Sequence, residues 1–204
     1  MKNINQKNYP NLDQAVAFRI TFDPFIYFYD DAKMNTTICD ECYYEEQKAP
    51  YRAPKRYCNR DYGILQSYAF GVSDTVYKEL IDNFDITEDD FRDILNKQDE
   101  VVYHQIAPRH IMLPIAHVND WSENPPCESC GRTYYNDIGT EFYNEKGEEF
   151  YYITKEALED LHDLNVTYEK FRLYLPYWVV SRRVFDFLTE KYPRMRFEPF
   201  FLKD

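Results

Sequence analysis

Two Cys-x-x-Cys pairs, "CDEC" at Cys39 and Cys42 and "CESC" at Cys127 and Cys130, restrict this chain more than any other feature, and a long stretch of sequence separates them. A two-residue spacer aims both sulfurs of a pair at one point. Two such knuckles supply the four soft ligands, each about 2.3 Å from the metal, of a tetrahedral zinc site. Glycine directly after the second pair, Gly131, suits the positive φ that such a turn tends to require. The pattern predicts Zn2+ held by Cys39, Cys42, Cys127 and Cys130 in a ribbon-like arrangement, with a whole subdomain inserted between its knuckles. Four thiolates leave no open coordination position, so a metal bound there is structural. Two other readings of the cysteines stay open. A redox pair belongs at a strand-to-helix junction, whereas Pro125 and Pro126 precede one pair. Incidental buried cysteines rarely fall twice into one spacing. The fifth cysteine, Cys58, reads as a small apolar residue and is the alternative ligand. An odd count argues against a disulfide framework.

The 204 residues carry 24 Lys and Arg against 36 Asp and Glu, a formal net charge of −12. Direct nucleic-acid binding requires clustered cations, and "RAPKRYCNR" (52–60) is the one basic run. The charge suits a solvated acidic surface or a basic partner, whose approach it would accelerate. Tyrosine (20) and phenylalanine (15) supply much of the apolar content; tyrosine buries a large ring while its hydroxyl seeks a partner, which favours half-wet faces and interfaces. "MKNINQKNYPNLDQ" has no apolar segment of a signal peptide, and no run approaches the length of a membrane span. The expectation is a cytoplasmic protein with no membrane partner.

Periodicity predicts an α+β fold with mixed sheet elements and about four helices. The whole chain, 1–204, reads as one compact unit, with a zinc-binding lobe formed by about 36–60 and 121–153. "QAVAFRITFD" and "PFIYFYD" read as strands, and residues 31–63 as irregular. "SDTVYKELIDNF" is predicted to be a helix capped by Ser73 or Asp74. "ITEDDFRDILNK" is predicted to be a second helix capped by Thr87, with Phe91, Ile94 and Leu95 as its buried stripe. "EVVYHQI" reads as a strand, and "GTEFYNEKGEEFYYI" as a hairpin turning at Glu145 to Gly147. "TKEALEDLHDLN" is a third helix, capped by Thr154. Strand "YWVV", helix "SRRVFDFLTEKY" and strand "MRFEPFFL" close the order. An internal echo at one constant offset aligns Phe70 with Trp178, Val72 with Val180, Ser73 with Ser181, Val76 with Val184, Tyr77 with Phe185 and Leu80 with Leu188. A duplication and two independent uses of one strand-cap-helix solution both account for it.

No phosphate-binding glycine loop, nucleophile elbow or metalloprotease helix motif is present. His104, His110 and His117 fall close together in "YHQIAPRHIMLPIAH". They are the residues on which an enzymatic alternative would rest, against the plainer reading of histidines with ordinary partners.

From "CESCGR" onward the order is a knuckle, a hairpin, then "KFRLYLPYWVVSRRVFDFLTEKYPRMRFEPFFL". This order resembles the C-terminal half of the double-CxxCG-motif family of bacterial immunity proteins, which accompany polymorphic secreted toxins. Cys127, Cys130, Gly131 and Arg132 match the second motif, and Phe171, Arg172 and Leu173 its "FRL" element. Cys39 and Cys42 fall where the first motif lies, with Tyr43 in place of its glycine. The resemblance runs from Cys127 to the end of the sequence. It implies a non-enzymatic cytoplasmic protein that protects its producer by binding one cognate toxin domain, which an acidic surface predicts to be basic. The other binding-class alternative is a zinc-ribbon regulatory or nucleic-acid-associated module.

Overall fold

A computed structural model describes residues 11–21, 36–40, 45–47, 50–53, 61–64, 70–116, 125–133, 151–170 and 176–203. The chain divides into a discontinuous unit, residues 1–21 with 110–204, and an inserted unit, residues 22–109. The architecture is α+β, with three α-helices among the described residues. None of these helices is long and apolar enough to cross a membrane.

The discontinuous unit is built on a five-stranded sheet: β1 (Ala17–Thr21), β8 (Tyr151–Ile153), β9 (Leu164–Lys170), β10 (Pro176–Ser181) and β11 (Arg196–Leu202), ordered β8-β11-β1-β10-β9. Every pairing is antiparallel except β11 with β8. Helix α3 (Arg182–Lys191) follows β10 directly, and Ser181 caps it by accepting the Val184 N–H at 3.4 Å. Val184, Phe185 and Leu188, spaced for one helical face, are buried. Phe185 stacks on Phe18 of β1 at 3.6 Å between ring centroids and meets Phe197 of β11 edge-on. On the opposite face a second cluster gathers Ala17, Val179, Phe200, Tyr151 and Tyr177 with Met112, Ile115 and Ala157. Arg19 lies in that layer, 3.3 Å above the Tyr177 ring and 2.9 Å from the Glu198 carboxylate.

The inserted unit holds a four-stranded antiparallel sheet: β4 (Tyr62–Ile64), β5 (Phe70–Val72), β6 (Phe91–Leu95) and β7 (Val101–Ile106), ordered β4-β5-β7-β6. Helix α1 (Asp74–Asn83) is capped by Ser73, which accepts the Val76 N–H at 3.3 Å. A separate hairpin pairs β2 (Thr36–Ile38) with β3 (Glu45–Gln47) inside the stretch expected to be irregular. Gly71 sits in a tight place: a Cβ there would come within 3.1 Å of the tip of the Ile94 side chain, which would have to give way.

Two helix expectations are corrected. The segment after Thr87 forms a single 3-10 turn, Glu88–Asp90, closed by the Thr87–Asp90 capping box, and Phe91 onward is β6. Its apolar residues fall three apart because this strand is buried on both faces: Phe91 packs edge-on against Tyr77 of α1, while Ile94 lies beside Gly71 on the reverse side. Three-residue spacing mimics a helix whenever a strand alternates its faces in this way. Helix α2 (Lys155–Glu159) has the expected Thr154 cap but ends after five residues. Asn165 stops it by accepting the His162 N–H and donating to the carbonyls of His162 and Val179, which starts β9 at Leu164. The expected turn at Glu145 to Gly147, Phe171 to Leu173 and all of "PFIYFYD" lie outside the described residues.

Candidate metal centre

The second knuckle is a defined turn. Gly131 donates its N–H to the Cys127 carbonyl at 2.8 Å, and Cys127 donates to the Arg132 carbonyl at 2.9 Å. The reversal passes through Gly131 at φ 69. A Cβ at that position meets nothing within 4 Å, so the need for glycine is conformational, a left-handed residue costing other L-amino acids about 1–2 kcal/mol. The turn brings the Cys127 and Cys130 sulfurs within 4.8 Å of each other, and both residues are half-buried. Two thiolates on one tetrahedral zinc sit about 3.8 Å apart. The pair therefore fits a thiophilic cation, and it can bind a metal from one side.

In the inserted unit, half-buried Cys39 follows directly on β2, at the mouth of the β2–β3 hairpin. In sequence, the first Cys-x-x-Cys falls between β2 and β3. Cys42 and Cys58 lie outside the described residues.

The histidines have separate surroundings. His104, on β7 of the inserted unit, is nearly buried and stacks on Tyr77 at 3.8 Å. Its Nδ1 faces Asp93 at 3.4 Å and its Nε2 faces Asp74 at 3.6 Å. The Asp74 carboxyl is held below its ordinary value chiefly by its hydrogen bond with Lys78, and His104 adds to the effect. Tyr77 is pushed up by burial first, then by the negative charge of Glu88, Asp93 and Asp74. His110, in the discontinuous unit, stacks on His162 at 3.8 Å and approaches Asp160 at 3.2 Å. His117 lies outside the described residues.

Two buried acids of the discontinuous unit went unread in the sequence. Asp163 accepts the Ser181 hydroxyl and the Arg183 guanidinium. Glu169 accepts the Ile115 N–H at 2.9 Å, which ties the segment after His110 to β9; burial pushes its carboxyl up to about 7. Asn165, Thr167 and Glu169 share one face of β9, and all three are buried. A run of polar residues at alternate positions normally marks the solvent side, so nothing in the pattern announced them. No protein-family model, curated protein or solved structure matches the chain.

Proposed function

We propose that this protein is an immunity-type binding protein that neutralises a cognate, basic toxin domain, and that Cys39, Cys42, Cys127 and Cys130 hold one structural zinc ion. The observation that carries the reading is the knuckle of Cys127 and Cys130. Its sulfurs lie within 4.8 Å and its reversal depends on Gly131 at φ 69, which accounts in physical terms for the Cys-x-x-Cys-Gly-Arg signature of the family that the sequence resembles. The placing of Cys39 at a hairpin mouth supports a second knuckle of the same kind. Zinc bound by four thiolates would contribute folding free energy rather than catalysis.

The formal charge of −12 supports a basic partner. Carboxylates on the rim speed encounter, while aromatic side chains at the centre of an interface slow dissociation. The reading is tested by capturing tagged protein from the bacterium that encodes it and identifying what is bound. The expected result is a stoichiometric toxin domain of positive charge, whose association slows as salt is raised. Capture of nucleic acid, or of no protein, contradicts it.

A further inference from the structure

We infer that the two units are copies of one module, and that β1 is the inner strand of the C-terminal copy, placed ahead of the inserted copy in the chain. The echo seen in the sequence covers a strand and a helix. The structure extends it to two four-stranded sheets by hydrogen-bond register.

In the inserted unit the order is β4-β5-β7-β6, with α1 between β5 and β6. In the discontinuous unit the run β9-β10-β1-β11 has the same antiparallel pairings, with α3 between β10 and β11. Val72 pairs with His104 as its counterpart Val180 pairs with Phe18. Asp93 pairs with His104 and Phe91 with Ile106, as Pro199 pairs with Phe18 and Phe197 with Ile20. Tyr62 pairs with Val72 as Leu164 does with Val180. Just outside each first strand, the carbonyls of Asp61 and Asp163 accept the N–H of the cap serines, Ser73 and Ser181. Both helices run ten residues.

The side chains placed in correspondence by register also pack alike. Tyr77 stacks on His104 at 3.8 Å and 13°, and Phe185 on Phe18 at 3.6 Å and 7°. Tyr77 meets Phe91 edge-on at 83°, and Phe185 meets Phe197 at 86°. On the reverse face volume is exchanged between neighbouring strands: Gly71 and Tyr103 in one copy stand where Val179 and Ala17 stand in the other, and all but glycine's absent side chain are buried. Two unrelated strand-cap-helix pieces would share the cap. They would have no reason to share the registers of three strand pairs, a three-ring geometry and a compensated volume swap.

The hairpin that joins β6 to β7 in the inserted unit is open in the discontinuous unit, where β11 and β1 pair without being consecutive. The copies have also diverged at one place. Where one presents Arg182 and Pro199 around a Phe–Phe stack, the other presents Asp74 and Asp93 around a His–Tyr stack.

The test uses the full chain. If His104 stands in a position built for Phe18, His104→Phe, alone and with Tyr77→Phe, unfolds at or above the wild-type temperature, whereas Phe18→His lowers the midpoint by about 10 °C or more. A circular permutant that joins Asp204 to Met1 and opens the chain between Thr21 and Phe22 gives the C-terminal copy the strand order of the inserted one, and it folds with an unchanged circular dichroism spectrum. A loss on His104→Phe as large as that on Phe18→His overturns the equivalence, and a permutant that does not fold overturns the assignment of β1.

Discussion

The Phe18–Phe185 stack and the His104–Tyr77 stack hold the same place in two sheets of the same plan, yet one is sealed and the other half-wet. In the discontinuous unit Phe18 is 0% exposed and Phe185 3%. In the inserted unit His104 is 9% exposed, Tyr77 is half-buried, and carboxylates stand at both imidazole nitrogens. The comparison separates what the module needs from what each copy adds. A cap serine, an inward valine and leucine, and three rings in a stack-and-edge arrangement are common to both. Aliphatic and aromatic closure belongs to one copy, and ionisable closure to the other. Burial of a ring stabilises by its apolar area, so the sealed copy should respond more strongly to truncation.

That difference gives the largest expected effect. Phe185→Ala should cost about 3–5 kcal/mol, and Tyr77→Ala about half as much, read from denaturant midpoints; equal losses would remove the distinction between the copies. Next comes Glu169. Its carboxyl, ordinarily near 4.5, is raised to about 7 by burial, so the folded state holds a proton that the unfolded chain releases. The contribution to stability is present in full below about pH 4.5 and is lost as pH rises toward 7. Glu169→Gln should therefore gain on the wild type across that window, by about 3 kcal/mol at most, as measured by melting temperature against pH. A constant difference would show that burial does not shift this group.

A smaller contrast compares two aspartates that the register makes equivalent. Asp163 is buried and takes hydrogen bonds from Ser181 and Arg183, whereas Asp61 is exposed and uses its backbone carbonyl. Asp163→Ala should cost about 2 kcal/mol and Asp61→Ala less than about 0.5 kcal/mol. The helix caps differ less: Ser73→Ala should cost about 1 kcal/mol, and Ser181→Ala somewhat more, because its hydroxyl also donates to buried Asp163.

How legible all this was depended on whether a residue's partners lay nearby in sequence. Helices α1 and α3 with their serine caps follow from local periodicity, since their inward residues recur at the helical period, and strands β7, β10 and β11 from short runs rich in β-branched and aromatic residues. The glycine after Cys130 announced its positive φ for the same reason. Strand β6 was misread because burial on two faces spaces Phe91 and Ile94 like a helix. The second half of the duplication was hidden by chain order: the counterpart of β7 is β1, which precedes the inserted copy, so no single offset aligns both the helices and the inner strands. Buried Asp163 and Glu169 were invisible because their partners, Arg183 and the Ile115 N–H, come from other segments. The cysteine spacing marked the candidate metal centre. It does not encode the course of the chain between the two knuckles.

The functional reading rests on zinc, and one measurement tests it most directly. Protein purified under reducing conditions without added metal or chelator is weighed in its native state and its metal quantified, beside Cys127→Ser. One zinc per wild-type chain, lost in the variant together with a stability of about 10 kcal/mol, is the predicted result. A reduced, folded and fully stable wild-type protein that carries no metal would contradict it.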